Sequence, residues 1–179
     1  MEVKCVVTGS LSENCYILSK NGYCVVVDPG DEFEKIKALI KDDKVVGILL
    51  THSHYDHVGA LRDVMNLSRK IQLFKKSMLE EKVYTIEDFS FNVIFTPGHS
   101  SDSITYYFSE DKVMFTGDFV FKNSVGRWDF PSGDKISLLK SISKIKNYDP
   151  DIILYPGHGD KTTLKDEIAN NPYFKHNEL

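Results

Sequence analysis

The stretch Val45-Val46-Gly47-Ile48-Leu49-Leu50-Thr51-His52-Ser53-His54-Tyr55-Asp56-His57 joins two contrasting patterns. From Val45 to Leu50 it is uncharged, apolar and of strand length, as expected for a strand covered on both faces. From Thr51 it turns polar, and three imidazoles and one carboxylate fall between His52 and His57. Neutral imidazole and carboxylate are usual ligands of Zn, Fe and Mn. An ordinary surface loop gives no reason for four such groups to stand together, so metal ligation is their expected role. Loop backbone turns, and neighbouring side chains then aim to different sides. His52 and His54 can serve one ion while Asp56 and His57 serve another. A metal shell takes three or four protein ligands, so this loop alone leaves each shell open.

Three further polar clusters supply what is missing: Thr96-Pro97-Gly98-His99, Thr116-Gly117-Asp118 and Tyr155-Pro156-Gly157-His158-Gly159. Singly each is weak, because Pro-Gly pairs are ordinary turns and Asp after Gly is an ordinary Asx turn. Together with the first loop they hold five of the six histidines in the chain. The sixth, His176, is expected to be a surface residue. Each cluster follows a predicted strand, so strand ends directed to one edge would gather all four loops.

Working outward, the N-terminal third reads as strands over 3–8, 15–19 and 23–28, with an Asn21-Gly22 hairpin signal between the last two. Phe33, Ile36, Leu39 and Ile40 repeat at helical spacing over 33–40. Beyond the His-rich loop, a helix is expected over 58–67, a short strand over 71–74 and a helical turn or two within 75–82. Strands are expected at 89–95, 103–108 and 112–115, then a mixed loop at 119–132. A helix over 136–145 has Asp134 as its N-cap. A buried strand follows at 151–155, and a last helix at 162–170 stops at Asn171-Pro172. Two sheets packed face to face with helices outside satisfy this order.

The chain has 179 residues, 41% of them hydrophobic, which suits one domain with a sizeable core. Net charge is −4, from 22 basic and 26 acidic residues, which argues against a phosphate-backbone binder and hence against a nucleic-acid partner. No apolar run approaches the roughly 20 residues that span a bilayer. No basic segment leads into a long apolar stretch at the N-terminus, so no secretory leader is expected. Three cysteines, at 5, 15 and 24, lie in strand-like runs and are expected as buried free thiols. A reducing, cytoplasmic location is the corresponding expectation.

His52-x-His54-x-Asp56-His57, followed by His99, Asp118 and His158, resembles the metallo-β-lactamase superfamily in order, spacing and flanking residues. Thr51, Gly59, the Pro-Gly-His turns and Thr116-Gly117-Asp118 share in the likeness, which extends over nearly the whole chain. It implies an α/β, αββα sandwich, one domain over 1–179, with a two-metal site on one edge. By that likeness His52, His54 and His99 hold the first ion, Asp56, His57 and His158 hold the second, and Asp118 bridges them. Two divalent ions are implied, zinc first, with iron or manganese as alternatives.

Within the superfamily the chain looks most similar to glyoxalase II, the hydroxyacylglutathione hydrolases, and to their short bacterial relatives. The stretch Gly126-Arg127-Trp128-Asp129-Phe130-Pro131-Ser132-Gly133-Asp134 carries the likeness to the short relatives. This implies a binuclear metal hydrolase of a small thioester of the S-lactoylglutathione type. Metal-activated hydroxide would attack the carbonyl, with Asp56 and Asp118 as the catalytic carboxylates. Arg127 matches a basic substrate-contacting position, while a neighbouring aromatic position holds Asp129. No counterpart is expected for the helical C-terminal domain of glyoxalase II, which supplies basic contacts to glutathione. Tyr55 and the aromatic group Phe119, Phe121, Trp128 and Phe130 stand beside the metal loops, either packed or lining a cleft. One alternative is a mononuclear iron persulfide dioxygenase, using two loop histidines with His99 and Asp118; another is a metal hydrolase of other esters or lactones. True β-lactamases of this class carry ligand differences and an export signal, which disfavours β-lactams. Oligomeric state is not legible.

Overall fold

A computed structural model describes residues 1–175; the expectation for His176 lies outside the described residues. The strands are β1 (Glu2–Thr8), β2 (Glu13–Lys20), β3 (Tyr23–Val27), β4 (Lys44–Leu49), β5 (Gln72–Phe74), β6 (Val83–Ile86), β7 (Phe89–Phe95), β8 (Ile104–Phe108), β9 (Val113–Gly117), β10 (Val120–Phe121), β11 (Ser124–Val125), β12 (Ile153–Pro156) and β13 (Thr162–Thr163). The helices are α1 (Phe33–Ile40), α2 (Tyr55–Val58), α3 (Leu61–Met65), α4 (Lys135–Ile145), α5 (Leu164–Asn170) and α6 (Pro172–Lys175).

β1-β2-β3-β4-β5 form one sheet and β13-β12-β9-β8-β7-β6 the other. Alternation along β2 and β3 shows why they face each other. Tyr16, Leu18, Val25 and Val27 point inward, against Phe91, Tyr106, Phe108 and Phe115 of the second sheet. Cys15, Ile17, Cys24 and Val26 point outward, where Ile36 and Ile40 of α1 and Val64 of α3 cover them. The outer face of the second sheet, with Ile94, Met114 and Leu154, is covered by Leu138, Ile142 and Ile145 of α4 and by Leu164 of α5. The side-chain period of two therefore feeds one core between the sheets and one under each helical layer. Tyr106 crosses the central core, its hydroxyl donating to the Leu50 and Phe74 carbonyls, 2.9 Å each.

The expected αββα sandwich is thus the observed fold, with differences at particular elements. Asn21 and Gly22 have φ of 52° and 80°, the paired positive angles of a type I′ hairpin. Asp134 caps α4 by accepting from the Ser137 amide at 2.7 Å. The helix expected over 58–67 is instead α2, which begins inside the His-rich loop, followed by α3. The Ala60 amide donates to the Pro29 and Gly30 carbonyls, 3.0 and 3.1 Å, and this tie breaks the run. Thr162 and Thr163 pair with β12 before α5 begins, with Thr163 accepting from the Asp166 amide. Pro172 opens α6 rather than ending structure, since a first helical position needs no amide donor. The mixed loop hides the β10–β11 hairpin, and β6 was not expected. Cys15 and Cys24 are buried free thiols; Cys5 is exposed, a correction to the expectation for all three. No helix among the described residues is long and apolar enough to cross a membrane.

β4, β7, β9 and β12 end at the same edge of the sandwich. β9 and β12 run parallel, and β7 runs with them because β8 is antiparallel to both β7 and β9. The four polar clusters follow these four strand ends.

Candidate metal centre

One side of each imidazole is fixed by protein, which leaves the other nitrogen facing a common space. His57 Nδ1 lies 3.0 Å from Asp28 Oδ2 and His158 Nδ1 lies 3.0 Å from the Leu11 carbonyl. His99 Nδ1 lies 2.7 Å from the Arg127 carbonyl. A carboxylate or carbonyl accepts, so each of these nitrogens is the donor. Thr51 Oγ1 donates to Asp28 Oδ2 at 2.5 Å, so its hydroxyl proton is committed. His52 Nδ1, 3.1 Å from Thr51 Oγ1, therefore donates to that hydroxyl oxygen. The Nε2 atoms of His52, His57, His99 and His158 are thereby left for another partner. His54 is the exception: its Nδ1 faces His99 Nε2 at 2.9 Å.

Among the described residues the buried Nε2 atoms of His52 and His57 and Oδ1 of Asp118 have no hydrogen-bond partner. Buried polar atoms are normally satisfied, so these orphans mark the place of an ion. His57 Nε2 and Asp118 Oδ1 are 3.3 Å apart yet not hydrogen-bonded. Ligand atoms of His52, His54 and His99 lie within 4.8 Å of one another, as do those of Asp56, His57 and His158. Asp118 touches both groups, Oδ2 at 3.5 Å from His99 Nε2 and Oδ1 at 3.6 Å from His158 Nε2. The structure therefore brings together all seven residues singled out as ligands, and their donor set suits divalent ions such as zinc, iron or manganese.

Gly157 makes this convergence sterically possible. A Cβ there would collide with Asp118 Oδ1 and stand 2.7 Å from His57 Cε1. Gly117 takes a φ of 51° with Thr51 against it, a conformation and space that only glycine accepts.

The electrostatics divide the cluster. Burial, reinforced by the charge on His57, holds His52 well below the usual histidine range and hence neutral. Burial acts the same way on His57, but the facing Asp118 and Asp28 carboxylates outweigh it and push its pKa up to about 11. Burial would raise Asp118, and His57 outweighs that too, holding the carboxyl far below its usual range. Burial, then the nearby Asp28, pushes Glu13 up to about 9.

Beside this cluster lies a cavity of about 440 Å³. Leu11, Tyr55, Phe121 and Phe130 give it an apolar wall, and Tyr55 and Leu11 remain 72% and 50% exposed. Phe119 is fully buried and Trp128 packs on Tyr173, so these two aromatics belong to the core. Arg127 reaches the cavity rim with its guanidinium 4.6 Å from the Phe130 ring. Its Nε and Nη2 donate to both Asp129 oxygens at 2.9 Å, so its charge is already paired.

Sequence reasoning missed Asp28, Glu13 and Asn14. Asp28 sits in Asp28-Pro29-Gly30-Asp31, which has the composition of a turn, yet it is buried and accepts from the Thr51 amide, Thr51 Oγ1 and His57. The available signal was its place: an acid closing a wholly apolar strand parallel to the strand that feeds the His-rich loop.

An αββα sandwich carrying clustered His and Asp ligands on one edge defines a class of metal-binding enzyme folds. The chain belongs to the metallo-beta-lactamase superfamily, whose family model matches residues 8–73 and 75–158; its members are generally hydrolytic metalloenzymes. The hydroxyacylglutathione hydrolase GloC of Haemophilus influenzae is 29% identical, over 97% of this chain and 98% of its own. The probable metallo-hydrolase YqgX of Bacillus subtilis is 30% identical, over 92% and 93%. Among solved structures, the B3 metallo-beta-lactamase BLEG-1 superposes with a TM-score of 0.91 at 31% identity, covering 98% of this chain and all of that one. TTHA1623 in a di-iron-bound form gives 0.86 at 31% identity, covering 96% of this chain and all of that one.

Proposed function

We propose that the chain is a hydrolase of a small thioester of the S-lactoylglutathione type, working with two divalent ions in one domain. His52, His54 and His99 would hold one ion, Asp56, His57 and His158 the other, and Asp118 would touch both. The observation that carries this reading is a cluster of orphaned buried atoms on His52, His57 and Asp118 beside an apolar-walled cavity that Asp118, His54, Asp56, His99 and His158 also line. GloC, matched along almost its whole length and named a hydroxyacylglutathione hydrolase, supports the substrate class. TTHA1623 in its di-iron form keeps iron beside zinc as the metal.

Bound divalent ions would lower the pKa of water toward neutrality and polarise the carbonyl to be attacked. The rest falls to the chain. Thr51, Asp28, Leu11 and the Arg127 carbonyl lock the imidazoles in the tautomer that presents Nε2. Asp118 stays ionised beside His57. Asp56, with Oδ2 3.2 Å from His158 Nε2, stands at the cavity and would orient the attacking water. Phe121 and Phe130 exclude solvent from the acyl group. A thiol leaving group, with a pKa near about 8.5, departs as thiolate without a strong general acid.

The test is turnover of S-D-lactoylglutathione by metal-loaded protein, with and without chelator. Chelator-sensitive hydrolysis restored by zinc is expected. No turnover by protein shown to hold metal would overturn the substrate assignment, and oxygen uptake with glutathione persulfide would then test the dioxygenase alternative. The 31% identity and TM-score of 0.91 with a B3 metallo-beta-lactamase favour one second reading, β-lactam hydrolysis. A chromogenic cephalosporin in the same assay decides it.

A further inference from the structure

The loop that carries His158 is held by the opposite end of the chain. Asn14, 4% exposed at the start of β2, donates from Nδ2 to the Pro156 carbonyl at 3.1 Å and to the Gly159 carbonyl at 2.8 Å. Its amide donates to the Gly157 carbonyl at 2.7 Å. Two residues on, the Tyr16 hydroxyl donates to the same Pro156 carbonyl at 2.6 Å. Glu13 forms an isolated antiparallel bridge with His158, and Leu11 accepts from His158 Nδ1. Residues 11–16 thus grip the turn 156–159 from both sides.

This grip is selective. None of these contacts reaches His52, His54 or His99, which are held by Thr51, the Arg127 carbonyl and each other. β12 lies between β13 and β9, β13 pairs only with Ile153 and Leu154, and the register against β9 slips between Tyr155 and Pro156. Beyond that slip the tie to β9 is the Pro156–Gly117 pair with the Gly157 amide donating to the Gly117 carbonyl at 2.9 Å, and the Pro156 and Gly159 carbonyls take their donors from Asn14 and Tyr16. Asn14 supplies two donors at this point, a geometry that a hydroxyl or an apolar side chain of that size cannot reproduce.

We propose that Asn14, assisted by Tyr16, is a positioning residue for His158 and sets the affinity of the second half-site without affecting the first. The proposal rests on the reading of Asp56, His57 and His158 as that half-site. Loss of an outer partner of a metal ligand costs about 10- to 100-fold in metal affinity. Because Asn14 bonds only the turn 156–159, which carries His158 and packs against His57, the cost should fall on the step that fills this half-site.

The experiment is calorimetric titration of chelator-stripped wild type and Asn14→Ala with zinc, repeated with cobalt to follow the ligand-field spectrum. Wild type should take two ions per chain. Asn14→Ala should bind its first ion within about twofold of wild type and its second at least about tenfold more weakly. Two unchanged steps, or two steps weakened equally, would overturn the proposal, because a merely structural residue moves both. Should Asn14→Ala fail to fold, Tyr16→Phe keeps the ring packed on Phe115 and Tyr155 and removes only the hydroxyl. There a roughly threefold loss confined to the second step is expected, and no change sinks the proposal. If wild type binds a single ion, the two-ion reading fails on its own and the imidazole decides. An exchange-protected His158 Nδ1–H resonance in metal-free wild type, lost in Asn14→Ala, sustains the grip; its retention refutes it.

Discussion

The two halves of the candidate centre are built by different means. His52, His54 and His99 come from the ends of β4 and β7; Thr51 holds His52, and the Arg127 carbonyl, 28 residues on, holds His99. His57 and His158 depend on residues far along the chain: Asp28 at the end of β3, and Leu11 to Tyr16 at the start of β2. The halves also differ in charge. His52 is held neutral, as a metal ligand must be. His57 sits fully buried among Asp28, Glu13 and Asp118, and the facing Asp118 and Asp28 carboxylates favour its charged form. The comparison teaches that the first half is assembled from the loops after β4 and β7, whereas the second also draws on the N-terminal strands β2 and β3.

The largest effect should come from the residue that belongs to both halves. Asp118→Ala removes the carboxylate facing His57, His99 and His158. Both zinc-binding steps should weaken, and hydrolysis should fall well beyond the roughly 10- to 100-fold that an outer partner costs. Retention of one tight step would mean that Asp118 serves a single half. Next, His99→Ala and His158→Ala separate the halves directly. Each should leave one ion per chain by elemental analysis. Two ions retained in either variant would break the division.

The pH dependence of the metal-free protein sharpens the contrast in charge. Glu13 is pushed from an ordinary value near 4.5 up to about 9, and His57 from 6.5 up to about 11. A group whose folded pKa is raised gives stability that is complete below its unfolded pKa and is lost as pH rises through the folded one. The melting temperature of chelator-treated protein should therefore fall as pH climbs from 5 to 9. Glu13→Gln, which can still accept from Thr8, removes the first of these titrations. Its melting temperature should fall less over that range, and an equal slope in wild type and variant would refute the assignment.

The same contrast explains what the sequence disclosed. The seven ligand candidates were visible because metal chemistry restricts residue type, and four of them crowd into one loop. The sandwich was visible because 15, 17, 24 and 26 alternate with 16, 18, 25 and 27 in two apolar strands. Asp28 was hidden because Asp-Pro-Gly-Asp satisfies turn chemistry, and only register with Thr51 reveals its other role. Glu13 and Asn14 were hidden because their partners lie far along the chain, His158 and Pro156 among them. The broken helix at 59–60 was hidden for the same reason, since its cause is two carbonyls at 29 and 30. Local pattern reports local partners, and the second half-site has few.

The smallest expected effect concerns the rim shared by both halves. Arg127 is the cation that the substrate resemblance singles out, yet in the structure its guanidinium is paired with Asp129 on the exposed lip of the cavity. An anionic thioester must compete with Asp129 for it. Asp129→Asn keeps the size of the side chain and removes that competition, while the Phe130 ring still supports the guanidinium. The expected result is a KM for S-D-lactoylglutathione lowered about threefold with kcat unchanged, within the roughly fivefold ceiling that an exposed ion pair allows. A neutral thioester with the same acyl group should show no change. Equal shifts for both substrates would mean that Asp129 orders the loop rather than screens the charge, because loop order affects the acyl group that the two substrates share.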